Sequence, residues 1–151
     1  MESNASRYEF MAEPFHCDFS HHLFLGHLGN HLLNASDFHS DEHDFGVVYL
    51  NKRNATWVLS RLAIEMNEMP REYDKFIIET WVENVYRFFT NRNYAIQGTD
   101  GKVYGYARSV WAMIDKDNRQ PVDLLSIRNG AINEYMMPEK QAPIDKPSRV
   151  K

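Results

Sequence analysis

Apolar residues recur along the chain with two different periods. Leu25, Leu28, Leu32 and Ala35 share one face of a helix, and their spacing predicts a helix over about 22–38. Ser20 precedes it as a candidate N-cap. Gly26 and Gly29 weaken the helix slightly, but small residues also permit close approach to a sheet. From residue 56 the period drops to two. Over 56–66, Val58, Ser60, Leu62, Ile64 and Met66 alternate with Trp57, Leu59, Arg61, Ala63 and Glu65, which predicts a strand with one face on a core. The β-rich runs 76–87 and 88–97 read as consecutive strands of a meander, followed by a strand over 103–115. Between the last two, Thr99-Asp100-Gly101-Lys102 is a hairpin signal, because Asp-Gly tolerates the positive φ of a tight turn. Gly105, inside a strand, predicts a bulge or a close backbone approach. Upstream, 8–15 reads as a first strand broken near its end by Pro14. Residues 40–46 and 51–54 read as polar loops, 117–119 as a turn, 121–127 as a short extension and 127–136 as a weak helical pattern.

Strand, long helix, then a run of long strands is an α+β order, one helix packed on an antiparallel sheet. The sheet must curve strongly to wrap the helix, and its other face needs water or a partner domain. Residues 1–7 carry no pattern and are expected to be disordered. Residues 138–151, rich in proline and charge, are expected to be a linker. A length of 151 residues suits one domain, and 43% hydrophobic residues suffice for a core. The net charge of −4 argues against a nucleic-acid protein. Cys17 is the single cysteine, so no internal disulfide forms and a reducing compartment fits. The N-terminal residues lack an apolar signal core, and no run approaches the roughly 18 apolar residues of a membrane helix. A soluble, cytoplasmic protein is expected.

All 7 histidines lie between His16 and His43. His27, His31 and Asn34 fall on one helix stripe beside the leucines. A pair of histidines at i and i+4 can share a metal ion, but a third ligand and the Glu of an HExxH pattern are missing, so no metal is expected. The remaining readings are an acid–base site completed by Asp37 and a polar, half-buried helix edge at a domain interface. Cys17 beside His16 is rejected as a nucleophile pair, since strand neighbours point to opposite faces. Arg61 lies mid-strand, on the face with Trp57, either paired with Glu79 or Glu83 or contacting a ligand. Lys52, Arg53, Arg87 and Arg92 are candidates for a docking surface for an acidic partner. No GxSxG, Walker or Rossmann motif occurs.

The blocks TWVLSRLAIEMNEMP, IETWVENVYRFFTNRNYAI and SVWAMIDKDNRQP, with Trp57, Arg61, Trp81 and Trp111 in frame, resemble the N-terminal half of acyl-carrier-protein thioesterases. The segment GHLGNHLLNASDFHS is similar to the bacterial branch, and the resemblance covers roughly 8–137. It implies a hotdog fold, a long helix wrapped by a curved antiparallel sheet, and a parent with two such domains in one chain. It places the catalytic Asn and His in the second domain, so none is expected here; His31, Asn34 and Asp37 are weak candidates, by analogy with single-hotdog enzymes in which a helix residue orients water. It assigns the acyl-chain pocket to this half, which points to Leu28, Leu32, Ala35, Trp57, Leu59 and Trp111 as pocket or core. As a ligand contact, Arg61 would meet the phosphopantetheine arm or the carrier itself. The implied partners are acyl carrier protein and a second hotdog domain or homodimer copy. No cofactor is implied. The half alone is expected to be inactive or weak. The rival readings are a self-sufficient single-hotdog homodimer acting on acyl-coenzyme A or acyl carrier protein, and a non-catalytic acyl- or carrier-binding module.

Overall fold

A computed structural model of the chain describes residues 4–147, apart from the side chains of residues 128 and 129. The elements run β1 (Ser6–Met11), a 3-10 turn (Pro14–His16), α1 (Leu25–Glu42), α2 (Val47–Lys52), β2 (Ala55–Met66), β3 (Lys75–Val85), β4 (Phe89–Gly98), β5 (Val103–Asp115) and a 3-10 segment (Leu124–Tyr135). The strands form one antiparallel five-stranded sheet in the order β1-β3-β4-β5-β2. The helix α1 lies on one face of it, giving the α+β hotdog arrangement that the periodicities and the resemblance predict.

The leucine stripe does what its spacing implies except at its start, where Leu25, in the first turn, is exposed. Leu28, Leu32 and Ala35 are fully buried against Phe76, Ile78, Tyr94, Ile96 and Ala107 of the sheet. Full burial of each leucine contributes about 1.5–3 kcal/mol. The start of the helix differs from expectation. Its N-cap is Phe24, with no side-chain cap, while Ser20 bonds instead to Asp18. Its end extends to Glu42, through a polar turn in which Ser36, His39 and Ser40 are buried. A second core cluster forms beyond it from Phe45, Leu50, Ala55, Val82, Met113, Leu124, Ile127, Ile132 and Tyr135. The short helix α2, unpredicted, supplies Leu50. Its first N–H, at Val47, donates to Asp37 Oδ1 at 2.8 Å.

The strand β2 corrects the simple alternation. Leu59 pairs with Trp111 and Arg61 with Val110, so Ser60 is an extra residue, a bulge. Trp57 and Leu59 therefore share the helix-facing side with Leu62, Ile64 and Met66. Arg61 is turned to the opposite face, away from Trp57. Near it lie Phe88, Phe89, Asn91 and Val110, around a groove on that outer face. The hairpin at Gly101 (φ 90°) and the close approach at Gly105 are as predicted: a Cβ on Gly105 would sit 2.4 Å from the Glu65 carbonyl oxygen. Pro121 pairs with Ile114 as a one-residue extension, and the helical pattern near 127–136 becomes the 3-10 segment.

The chain ends differ from their expected character. Ser6 and Arg7 belong to β1, and Arg7 pairs with Glu79 at 3.1 Å; residues 1–3 of the expected disordered stretch lie outside the described residues. Residues 138–147 pack on the outer face of the sheet. Trp81 Nε1 donates to the Lys140 carbonyl (2.8 Å), the Ala142 N–H to Asn93 Oδ1 (2.9 Å) and Arg108 Nη1 to the Ile144 carbonyl (2.9 Å). Beneath them Arg108 and Glu83 form a buried ion pair at 2.6 Å, with Asn93 and Asn84 donating to the same carboxylate. Glu83 is thus committed to Arg108, and Glu79 to Arg7 and Lys140, rather than to Arg61.

Candidate acyl-chain site

Against the second core cluster, which supplies Leu50, Ala55, Trp57, Val82, Ile132 and Tyr135 to its wall, lies a cavity of about 280 Å³. That is close to the lower end of the roughly 300–1,000 Å³ of small-ligand pockets. α1 contributes Leu33, Asn34, Ser36, Asp37 and Ser40, α2 contributes Val47, Leu50 and Asn51, and β2 contributes Ala55, Thr56 and Trp57. Val82, Thr90, Arg92 and Trp111 come from the sheet, and Ile132 and Tyr135 from the 3-10 segment. Asn34, Val47 and Asn51 are exposed and form the mouth, whereas Arg92, Ser40, Val82 and Tyr135 are buried at the inner end.

A polar belt lies along this cavity. Trp111 Nε1 donates to Ser109 Oγ at 2.8 Å, Ser109 Oγ and Tyr94 Oη are 2.9 Å apart, Tyr94 Oη and Ser36 Oγ are 2.7 Å apart, and Ser36 donates to the Leu32 carbonyl at 2.9 Å. One donor direction satisfies the whole chain, with Ser109 donating to Tyr94 and Tyr94 to Ser36, so that each bond polarises the next. Beside it, Arg92 Nη1 donates to His39 Nδ1 (2.9 Å) and Thr80 Oγ1 (3.2 Å), and Nη2 donates to Ser40 Oγ (3.1 Å). An arginine always donates, so His39 Nδ1 must accept, and the other ring nitrogen then carries the proton that bonds the Asn4 carbonyl at 2.8 Å. Burial, reinforced by the Arg92 charge, lowers the His39 pKa to about 3, so the ring is neutral.

Of the sequence candidates, Trp57, Trp111, Asn34 and Asp37 line the cavity. Leu28, Leu32 and Ala35 are core under the helix, Leu59 faces the helix side without lining the cavity, and Arg61 is on the outer face. His31 is separate. Its ring packs against Phe10 (4.7 Å) and Phe76 (5.5 Å), and neither buried ring nitrogen has a partner. Burial, with the neighbouring His16 and His27, lowers its pKa. His16 stacks on His27 at 4.1 Å, yet no three His, Cys, Asp or Glu among the described residues are arranged to hold a metal ion. Burial raises the pKa of the Cys17 thiol, the opposite of nucleophile activation. Among the described residues, the cavity contains no hydroxyl bonded to a histidine, and Asp37 caps α2. The arrangement can hold an elongated ligand; it does not display a nucleophile with its base.

The periodicity missed Arg92, Ser36, Tyr94, Ser109 and the 3-10 residues Ile132 and Tyr135. The docking-surface expectation fails for Arg92, which is 4% exposed. The signal was present: Arg92, Tyr94 and Ile96 alternate on one strand face, and Ser36 and Ser40 stand one turn apart on the helix.

Comparison with known proteins agrees with the fold. Residues 4–127 match the model of the acyl-ACP thioesterase N-terminal domain. Oleoyl-acyl carrier protein thioesterase 1 of Arabidopsis thaliana is 30% identical over 95 residues, which are 62% of this chain and 25% of the relative. A crystal structure of an acyl-ACP thioesterase from Bacteroides thetaiotaomicron superposes with a TM-score of 0.88 at 53% identity, over 98% of this chain and 59% of that one. The 12:0-ACP thioesterase of Umbellularia californica, at 15% identity and a TM-score of 0.79 over 100% of this chain and 62% of that one, shares the fold. The chain spans about a quarter of the length of the curated plant relative and 59% of the bacterial structure. It belongs to the acyl-ACP thioesterase family, matching that family's N-terminal domain.

Proposed function

We propose that this chain is the half of an acyl-ACP thioesterase that receives the fatty acyl chain, with hydrolysis of the thioester carried by residues of a second hotdog domain. The observation that carries this reading is the cavity enclosed between α1, α2 and the sheet, walled by Leu50, Trp57, Val82, Trp111, Ile132 and Tyr135. Such a wall suits a hydrocarbon chain, whose burial yields roughly 0.8 kcal/mol per methylene. A division of labour between two domains is part of this reading, since among the described residues the cavity displays no hydroxyl paired with a histidine. Residues 138–147 then lead from the sheet's outer face toward the second domain. Lys52 and Arg53 end α2 close to the cavity mouth, and Lys116 reaches Asn51 at 3.0 Å. These cations form the docking face for the acidic carrier. Arg87 is paired with Asp123, and Arg92 is internal, so neither belongs to it. In the described residues no helix is long and apolar enough to cross a membrane.

The test is an assay of dodecanoyl-carrier-protein and dodecanoyl-coenzyme A hydrolysis by the 151-residue protein, run beside a binding titration with dodecanoate. Binding with little or no turnover is expected. Rapid turnover that disappears in Asn34→Ala or Asp37→Asn would instead place catalysis in this half and favour a self-sufficient enzyme.

A further inference from the structure

The buried part of the cavity wall carries a cation with no carboxylate of the described residues in contact with it; Asp37, on the same wall, acts on it only through space. Arg92 is 4% exposed, and its hydrogen-bond partners, His39, Thr80 and Ser40, are all uncharged. It takes part in no ion pair among the described residues. By contrast, Arg108, the other arginine buried among the described residues, has a carboxylate at 2.6 Å. The last turn of α1, which ends beside Ser40, offsets part of the charge, since a helix C-terminus is equivalent to roughly half a negative charge. The three bonds leave guanidinium donors over, and Arg92 lines the cavity. Arg92 belongs to the buried part of the lining, whereas Asn34, Val47 and Asn51 belong to its exposed part.

A hydrocarbon terminus is a poor occupant there. It would displace water from a guanidinium without returning a hydrogen bond, and burying an unsatisfied charged donor is costly. An acceptor oxygen would gain a charge-assisted bond in a low-dielectric site. We propose that Arg92 is a specificity-determining residue that makes the cavity prefer acyl chains bearing an acceptor oxygen, such as a hydroxyl, at the end that reaches it. This rests on the acyl-chain reading of the cavity.

The probes are the octanoyl, decanoyl and dodecanoyl thioesters of N-acetylcysteamine and their ω-hydroxy counterparts. Their neutral head prevents a free carboxylate from competing for Arg92. Binding to the 151-residue protein is read by tryptophan fluorescence, since Trp57 and Trp111 line the cavity. For at least one chain length the hydroxylated thioester is expected to bind roughly ten-fold tighter, the scale of one charge-assisted hydrogen bond. Plain chains binding as tightly as hydroxylated ones at every length would overturn the proposal and leave the acyl pocket standing. Absence of binding by either series would overturn both. The native protein alone decides these outcomes. In a folded Arg92→Met protein the preference should vanish or reverse toward the plain chain; if it persists there, Arg92 is not its source.

Discussion

At the scale of single residues, Arg92 and His39 show how burial sets chemistry. Arg92 fixes the His39 tautomer, and the ring must stay neutral to accept from it. The folded-state pKa of about 3 lies below the ordinary 6.5. This contribution to stability is therefore fully present above pH 6.5 and is lost as pH falls toward 3. His31 and His43 are depressed in the same direction. An ordinary carboxylate titrates at about 4, below the interval from pH 7 to pH 5, so thermal melts over that interval weigh the histidines most. His39→Gln keeps an acceptor and a donor without the titration, and the fall in Tm over that interval should be smaller than in the native protein. An unchanged slope would assign it to other groups. Gly105 is a second residue-scale case. Gly105→Ala drives a methyl into the Glu65 backbone and should cost about 1–3 kcal/mol in urea unfolding, the range for overpacking. The sequence made Gly105 legible because glycine has few reasons to sit inside a strand. Arg92 was harder, because composition rules place arginine at the surface and only its alternation with Tyr94 argued otherwise.

Among the elements, the helix α1 and the four long strands were legible because each keeps one period over many residues. What failed was local. The bulge at Ser60 adds one residue to β2 and exchanges the faces beyond it. A period-two reading across it therefore put Arg61 with Trp57 and Leu62 opposite. No residue at 60 announces a bulge, since the irregularity is set by pairing with β5. The helix α2 was missed for a similar reason. A six-residue helix has no intrinsic stability in water, and its shape comes from packing and from Asp37. Asp37→Ala removes the acceptor for the Val47 N–H and should cost about 1 kcal/mol in unfolding free energy. Fluorescence of Trp57, whose indole donates to the Phe45 carbonyl beside α2, should report the loosening. A stability equal to that of the native protein would remove Asp37 from a structural role and strengthen its claim to a chemical one.

For the whole molecule, the two faces of the sheet do different work. The inner face carries both core clusters, the polar belt and the cavity. On the outer face lies the Glu83–Arg108 pair, roofed by residues 138–147. Composition read that segment as a linker, because prolines and charges cannot show that Ala142 is 3% exposed. Arg108→Met leaves the Glu83 carboxylate buried and unpaired, and chemical denaturation should register a loss of about 3–5 kcal/mol. A loss below 1 kcal/mol would mean that water reaches Glu83 and that the strap is not closed in solution. The hotdog arrangement itself was legible twice over, from the order of periods and from the tryptophan-bearing blocks. The cavity was legible only in part, because its walls come from seven separate elements and the 3-10 segment that closes it shows only a weak helical pattern in the sequence.

Whether that cavity holds the acyl tail is answered most directly by photolabelling the protein with dodecanoate carrying a diazirine near its tail and mapping the adducts by mass spectrometry. Adducts should fall on the peptides containing Leu50, Trp57, Trp111 and Tyr135 and be suppressed by excess dodecanoate. Adducts confined to the outer face, around Arg61, Phe88 and Phe89, would contradict an acyl chain lying between α1 and the sheet.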